Sequence, residues 1–253
     1  MLHVLDVCGG PTNSRHPPVV ILGCGRSGIS IFGELFDGLG PYAYESEPPF
    51  REILTRPAEG SWAVKVTHVS EEHPPDDGLS FPLETLLAAF PSVVIFWIMR
   101  HPLDAISSLR VGISRNWRHH PKPPDWEQWL ARPLVERCAH HWAYINSHGW
   151  PRVEDLASVV HFEDMTESPF QFASNICERL ELSAEGNDEF VPTWAARVQD
   201  TNNDQFVEAI TSRNLSRPIT RSAWGVGKRT CPVTKRELPG CWSRTLPAAL
   251  GTT

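Results

Sequence analysis

Hydrophobic and polar positions along the chain alternate in blocks that predict strands and helices in turn. Short continuous apolar runs, at residues 19–22 and 93–99, are typical of strands buried on both faces of a parallel sheet. Weaker patterns predict further strands at 62–67 and 159–162. Helical spacing of apolar residues predicts helices at 31–39, 82–90, 104–111, 132–146 and 170–180. Strands that alternate with helices predict an α/β fold, with a mainly parallel sheet flanked by helices.

The length and composition of the chain fit one domain spanning residues 1–253. With 253 residues, 41% of them hydrophobic, the chain is long enough to bury one sizeable core. We expect residues 1–17 to form a flexible arm. The pattern weakens beyond residue 200, and residues 181–253 are expected to be helical or irregular.

Charge and cysteine usage argue against several functions. The net charge of −7 disfavours general nucleic-acid binding. The six cysteines are scattered without CxxC spacing, which favours reduced thiols over disulfides or zinc ligands. No secretory signal is visible, and the longest apolar run, at 93–99, is far shorter than the ~20 residues that span a bilayer. We therefore expect a cytoplasmic protein with no membrane partner.

A glycine-rich loop follows the first predicted strand. In the segment VVILGCGRSGIS, Gly23 and Gly28 keep the spacing of a Walker A loop, and Ser30 takes the position of its Ser/Thr. Backbone N–H groups of such a loop converge on an oxyanion, and the positive end of the following helix strengthens the attraction. Ile29 stands where the Walker lysine would be, so Arg26 is the cation within the loop. The segment predicts a phosphate site that is not built for ordinary magnesium-nucleotide chemistry.

A second candidate site lies at the end of the apolar run 93–99. Where a Walker B strand would end in a carboxylate that holds magnesium, this one ends in Arg100. Open α/β sheets bind ligands at the carboxyl ends of their strands, which is where Arg100 is expected. Ser108 follows eight residues later, about two turns along the predicted helix. An arginine fork and a serine hydroxyl suit a phosphate group.

The segments GCGRSGIS and RHPLDAISS resemble the two signature segments of sulfotransferases that use 3′-phosphoadenosine 5′-phosphosulfate (PAPS). A third segment, VHFEDM followed by Pro169, is similar to a structural segment of that family, and the resemblance covers residues 18–180. It implies a P-loop nucleotide-binding fold, PAPS as cofactor with PAP as product, and no metal. It also implies transfer of a sulfuryl group to a hydroxyl or phenol of a small-molecule acceptor. A homodimer is a possible assembly that the sequence neither favours nor excludes.

The resemblance further implies which residues bind the cofactor. Backbone N–H groups of the loop would hold the 5′-phosphate, while Arg26 would stabilise the charge that develops on the bridging oxygen. Arg100 and Ser108 would bind the 3′-phosphate. Ile29 replaces the family's usual threonine, so one hydroxyl contact is missing. The expected loop contacts are Gly25, Arg26, Ser27, Gly28, Ile29 and Ser30.

Three residues are candidates for the base that takes the acceptor's proton. Family branches with a glutamate base have it shortly after the first helix, where Glu47 precedes two prolines and Glu45 is the alternative. The third is His68, because cytosolic members have a Lys-x-His pair there, although Lys65 and His68 are one residue further apart than that pair. Lys65 is expected at the sulfuryl group, since a buried strand lysine needs an anionic partner.

The family closes its 3′-phosphate site with a GRWR-like element near the chain end. Two segments compete for this role: GCWSR at 240–244, and WGVGKR at 224–229, which contributes Lys228 and Arg229. Residues 181–253 would then form a lid over the cofactor. Two other functions remain open from the sequence: a P-loop kinase with a displaced cation, and a PAPS-fold binding protein that has lost catalysis.

Overall fold

The fold is built on a parallel β-sheet. A computed structural model describes residues 16–66, 75–114, 116–182 and 190–199. Within these ranges five strands pair in parallel in the order β2-β3-β1-β4-β5. The strands are β1 (Val19–Gly23), β2 (Ala43–Ser46), β3 (Trp62–Lys65), β4 (Val94–Met99) and β5 (Ala157–His161).

Helices connect the strands and cover both faces of the sheet, which confirms the α/β class expected from the hydrophobic pattern. None of the helices in the described ranges is long and apolar enough to cross a membrane. The helices are α1 (Ile29–Gly38), α2 (Phe50–Leu54), α3 (Leu83–Ala89), α4 (Pro102–Ser114), α5 (Leu134–Tyr144), α6 (Trp150–Val153), α7 (Phe162–Glu167), α8 (Pro169–Arg179) and α9 (Phe190–Gln199).

Some helix boundaries differ from those predicted. Helix α1 begins at Ile29, two residues earlier than predicted, because Gly28 already serves as its N-cap. The helix predicted at 132–146 continues instead through a π turn, Ile145–Gly149, into α6. The short elements β2, α2 and α7 were not predicted, because stretches this short contain too few periods of the apolar pattern.

The sheet separates two hydrophobic cores. Alternate residues of β1 point to opposite faces, so that Val19 and Ile21 belong to one core and Val20 and Leu22 to the other. The first core is closed by apolar side chains of α1, α8 and α9. The second is closed by those of α3, α4 and α5. Burial on both faces explains why β1 and β4 are continuous apolar runs.

Helix α9 is tied to α1, the helix that follows the glycine loop. The indole N–H of Trp194 donates to the Ile31 carbonyl at 2.8 Å. Arg197 forms an ion pair with Glu34 at 2.5 Å. These contacts join a late segment of the chain to the first turns of α1 and hold that helix against the sheet.

Candidate active site

The glycine loop between β1 and α1 forms the floor of the candidate site. Gly28 is the N-cap of α1 with φ 99°, a conformation that glycine adopts without strain. A Cβ at this position would lie 2.3 Å from the Phe162 ring, so the ring packs directly on the loop backbone. Both the dihedral angle and the close packing therefore require glycine here.

The first turn of α1 presents backbone donors. Its first intrahelical bond runs from the Phe32 N–H to the Gly28 carbonyl at 3.1 Å. The N–H groups of Ile29, Ser30 and Ile31 therefore have no partner within the helix and lie at its positive end. The side chain of Ile29 is buried in the core. This position can therefore offer an anion its backbone N–H but no side-chain hydroxyl.

The Ser27 N–H is engaged in a hydrogen bond within the loop. This group donates to the Cys24 carbonyl at 3.1 Å, and the bond closes a turn within the loop. Its hydrogen is thus directed back into the loop rather than towards a ligand. The set of backbone donors at the helix start begins after Ser27.

Arg26, Arg100 and Ser108 meet in one network, although they lie at three places in the fold: the glycine loop, the end of β4 and helix α4. Arg26 has φ 70°, and its Nε donates to the Ser108 Oγ of α4 at 3.1 Å. Arg100, at the end of β4, donates from a guanidinium nitrogen to the Arg26 carbonyl at 2.9 Å. The second predicted segment thereby braces the loop that carries the first.

The electrostatics of this network suit an anion. Burial, and secondly the charge of Arg100, lower the pKa of Arg26 to about 10. Burial also lowers the pKa of Arg100 to about 10, against the opposing effect of Asp104 and Glu163. Both guanidinium groups remain cationic at neutral pH. The Arg100 Nε is buried and has no hydrogen-bond partner among the described residues.

The other face of Arg100 is apolar. Its guanidinium carbon lies 4.3 Å from the centroid of the Phe162 ring. Stacking of this kind leaves the in-plane N–H groups available to a ligand. A partly buried cation next to a buried one that has an unpartnered N–H is a donor set that fits a phosphate group.

Lys65 connects the helix start to the glutamate candidate. It is the last residue of β3, and its Nζ donates to the Ser30 Oγ at 3.0 Å. The same Nζ pairs with a Glu47 carboxylate oxygen at 2.6 Å. The Glu47 N–H in turn donates to the Lys65 carbonyl at 2.9 Å. This arrangement brings Lys65 and Glu47 to the edge of the glycine loop.

The structure separates the two glutamates that the sequence left as alternatives. Glu45 forms an ion pair with Arg56 near the protein surface. Glu47, two residues later, is directed to Lys65 and the loop. The geometry thus brings Glu47 to the site and Glu45 to a surface ion pair.

Several predicted residues lie outside the described ranges. These are His68, Lys228, Arg229 and both C-terminal segments proposed to close on the 3′-phosphate. Within the described ranges, no group of three or more His, Cys, Asp or Glu side chains is arranged to hold a metal ion.

The tryptophan that follows α4 packs in the interior. Trp117 is fully buried, and its indole N–H donates to Nδ1 of His141 at 3.2 Å. Trp117 is therefore a core side chain rather than the wall of an open pocket. It belongs to the cluster that packs α4 against α5.

His119 is a residue at this site that the sequence did not single out. Its ring lies against Gly25 of the loop and Gly112 of α4. Burial, then the charges of Arg26 and His120, lower its pKa to about 3, while Glu47 opposes the shift. The ring is therefore neutral at physiological pH. The one sequence signal was Gly112, a residue that is unfavourable inside a helix unless something packs against it.

The structure defines an α/β protein with a P-loop-like glycine loop, in which Arg26 is the cation of the loop and Arg100 follows β4 where a Walker B strand would end in a carboxylate. Residues 78–186 match the model of the sulfotransferase family, which confirms the resemblance over this part of the chain. The matched stretch contains Arg100, Ser108 and His119 but not the glycine loop, and it covers less than half of the 253 residues. Comparison with curated proteins gives no match.

Solved structures resemble the chain more distantly. Mouse sulfotransferase SULT7A1 complexed with PAP is 13% identical, with 83% of this chain and 78% of that one covered and a TM-score of 0.48. Sulfotransferase STF9 from Mycobacterium avium is 14% identical, with 85% and 76% covered and a TM-score of 0.49. Retinol dehydratase in complex with androsterone and the inactive cofactor PAP is 14% identical, with 81% and 73% covered and a TM-score of 0.45. At this level of similarity these structures do not decide the chemistry of this chain.

Proposed function

We propose that the protein is a PAPS-dependent sulfotransferase that acts on a hydroxyl or phenol of a small-molecule acceptor. The observation that carries the proposal is the network of Arg26, Arg100 and Ser108 above the glycine loop. The sulfotransferase family match over residues 78–186 supports it. A kinase is not favoured, because Ile29 replaces the Walker lysine and β4 is followed by Arg100 instead of a carboxylate.

PAPS, when bound, supplies the sulfuryl group. The N–H groups at the start of α1 would hold its 5′-phosphosulfate end, with Ser30 positioned through its bond to Lys65. Arg26 would lie beside the leaving phosphate. Arg100 and Ser108 would bind the 3′-phosphate, and the Ser108 hydroxyl could donate to a phosphate oxygen while its Oγ accepts from the Arg26 Nε.

We also propose a single domain for residues 1–253, with the C-terminal part completing the cofactor site. Lys228 and Arg229 are the cations that we assign to the 3′-phosphate, and the segment at 240–244 is the alternative. On the acceptor side, Lys65 would neutralise the transferred sulfuryl group. Glu47 holds that lysine in place and is the carboxylate candidate for the base.

Binding of PAP tests the function without knowledge of the acceptor. Isothermal titration calorimetry is expected to show that the protein binds PAP at least about tenfold more tightly than ATP with magnesium, because the 3′-phosphate reaches Arg100 and ATP has none there. Adenosine is the control for binding of the base alone. Tighter binding of magnesium-ATP than of PAP, or absence of PAP binding, would contradict the proposal.

The contrast between the two glutamates is a second prediction. Glu47→Gln is expected to lower kcat by about tenfold or more, because the neutral amide no longer holds Lys65 by charge and takes no proton. Glu45→Gln is the matched control and is expected to stay within about twofold of wild type, since Glu45 pairs with Arg56 instead. The measurement is transfer of ³⁵S from labelled PAPS to phenol. An equal loss of kcat in both variants would show that Glu47 has no special role at the site.

A further inference from the structure

Phe162 lies where strand pairing brings three parts of the candidate site together. Strand β5 pairs in parallel with β4, and its last residue, His161, lies opposite Met99. The next residues along the two strands, Phe162 and Arg100, are therefore neighbours at the carboxyl edge of the sheet. The glycine loop leaves β1, the other neighbour of β4, at the same edge. The loop, the end of β4 and the end of β5 thus converge at Phe162.

The Phe162 ring contacts the glycine loop and Arg100 at the same time. The guanidinium carbon of Arg100 lies 4.3 Å from the ring centroid. A Cβ at Gly28 would lie 2.3 Å from the ring carbon Cδ2 and 2.9 Å from Cε2. Phe162 and Arg100 are both buried, so the cation and the ring meet away from solvent, where their attraction is stronger. One ring therefore supports both the loop proposed for the 5′-phosphate and the arginine proposed for the 3′-phosphate.

The residue after Phe162 holds the backbone beside Arg100. A carboxylate oxygen of Glu163 accepts a hydrogen bond from the His101 N–H at 2.8 Å. Helix α7 therefore begins with two residues that act on the end of β4. The ring of Phe162 contacts the Arg100 side chain, and the carboxylate of Glu163 fixes the peptide that follows it.

The orientation of the Arg100 guanidinium depends on this support. One of its terminal nitrogens donates to the Arg26 carbonyl at 2.9 Å, while its buried Nε has no partner among the described residues. By itself, a hydrogen bond at one nitrogen would let the guanidinium plane tilt. A ring stacked on its face holds the plane and keeps the remaining in-plane N–H groups in one orientation. Less freedom is then lost when a phosphate binds.

We propose that Phe162 is a positioning residue that determines the preference of the site for nucleotides with a 3′-phosphate. This inference rests on the proposed sulfotransferase function and goes beyond its assignment of Arg100 to that phosphate. The preference then depends on an uncharged ring, which acts by holding the Arg100 guanidinium in place. Support of the glycine loop alone would serve every nucleotide with a 5′-phosphate equally, so the two roles can be separated by experiment.

The first test compares PAP with AMP, which lacks the 3′-phosphate. Phe162→Leu removes the aromatic face and keeps an apolar side chain in the core. The dissociation constant of PAP, measured by calorimetry, is expected to rise about tenfold, while that of AMP stays within about twofold of wild type. The reason is that AMP has no phosphate that depends on the orientation of Arg100. Equal weakening of both nucleotides would show that the ring supports only the loop, and would overturn the proposal.

Two control variants separate the aromatic face from general packing. Phe162→Tyr keeps the ring and should keep the preference of wild type for PAP over AMP. Phe172→Leu is the matched control, because the Phe172 ring packs against the same core on α8, 5.8 Å from the Phe32 ring. It should also keep the preference, and thermal unfolding shows whether each variant is folded. A preference lost equally in Phe172→Leu would show that loss of any core ring suffices, and would reject the assignment.

The second test is a double-mutant cycle between Phe162 and Arg100. If the ring acts through the guanidinium, Phe162→Leu has little left to change once Arg100 is methionine. The double variant is therefore expected to bind PAP within about twofold of Arg100→Met alone, since residues in contact are not additive. Effects of the two substitutions that multiply would show that Phe162 acts independently of Arg100, and the proposal would be wrong.

The outcomes distinguish this inference from the proposed function. If wild-type protein fails to bind PAP, the proposed function fails, and the role of Phe162 falls with it. If wild type prefers PAP over AMP and Phe162→Leu keeps that preference in full, the function stands and the role of Phe162 alone is wrong. A preference that falls in Phe162→Leu and persists in both control variants supports the two proposals together.

Discussion

Replacing Arg26 with alanine is expected to lower kcat by about 10²–10³-fold, because removal of a single group that stabilises developing charge has this effect in other enzymes. Arg26 is the cation within the loop, and its Nε is held by Ser108 at 3.1 Å. Its charge would lie where the bridging oxygen gains electron density as the sulfuryl group leaves. The PAP dissociation constant should rise far less than kcat falls, since the backbone donors of α1 remain. Stopped assays with ³⁵S-labelled PAPS and calorimetry with PAP give the two quantities.

Arg26→Lys separates the contribution of the Arg26 charge from that of its geometry, and Arg132→Ala is the control. Arg26→Lys keeps the charge but loses the fork that reaches Ser108, and it should recover part of the activity. Arg132→Ala removes an exposed arginine in the segment before α5 and should leave both constants unchanged. If Arg26→Ala retained wild-type kcat, Arg26 would have no part in the chemistry.

Replacing Arg100 with methionine is expected to raise the PAP dissociation constant by about 10²-fold, or about 3 kcal/mol, because charge-assisted bonds to a phosphate are lost. Methionine keeps an unbranched apolar chain against Phe162, which limits the loss of packing. The Arg100 guanidinium also holds the Arg26 carbonyl at 2.9 Å, so part of the effect will come through the loop. Calorimetry with PAP measures the change.

AMP, which lacks the 3′-phosphate, isolates the role of Arg100. Wild type should prefer PAP over AMP, and Arg100→Met should bind the two nucleotides about equally. Thermal unfolding of the variant shows whether it is folded. A variant that still prefers PAP as strongly as wild type does would show that the 3′-phosphate lies elsewhere.

The sequence was sufficient for the elements that depend on local order. The glycine loop, Arg100 and Ser108 were predicted from a strand, a turn and a helix that are each contiguous in the chain. The continuous apolar run before Arg100 predicted a buried parallel strand, and β4 has that role. Parallel strands end on one edge, so their terminal residues were expected to meet there.

The sequence was not sufficient to decide between chemically equivalent residues whose positions depend on long-range packing. Glu45 and Glu47 are both acidic residues in the same stretch, and only the pairing of β2 with β3 brings one of them to Lys65. The hydrogen bond from the Ser27 N–H to the Cys24 carbonyl likewise depends on the turn that the folded loop makes. Neither outcome follows from composition or spacing.

What the sequence determined by itself was the α/β alternation and the succession of strand, glycine loop and helix that carries Arg26, because these depend on hydrophobic period and residue type within short windows. Only the tertiary structure decided that Arg26 bonds to Ser108, that Glu47 reaches Lys65, and that His119 packs between two glycines. Each of these contacts joins residues that lie on different elements. Their distance is set by how helices pack on the sheet, which no single segment of sequence encodes.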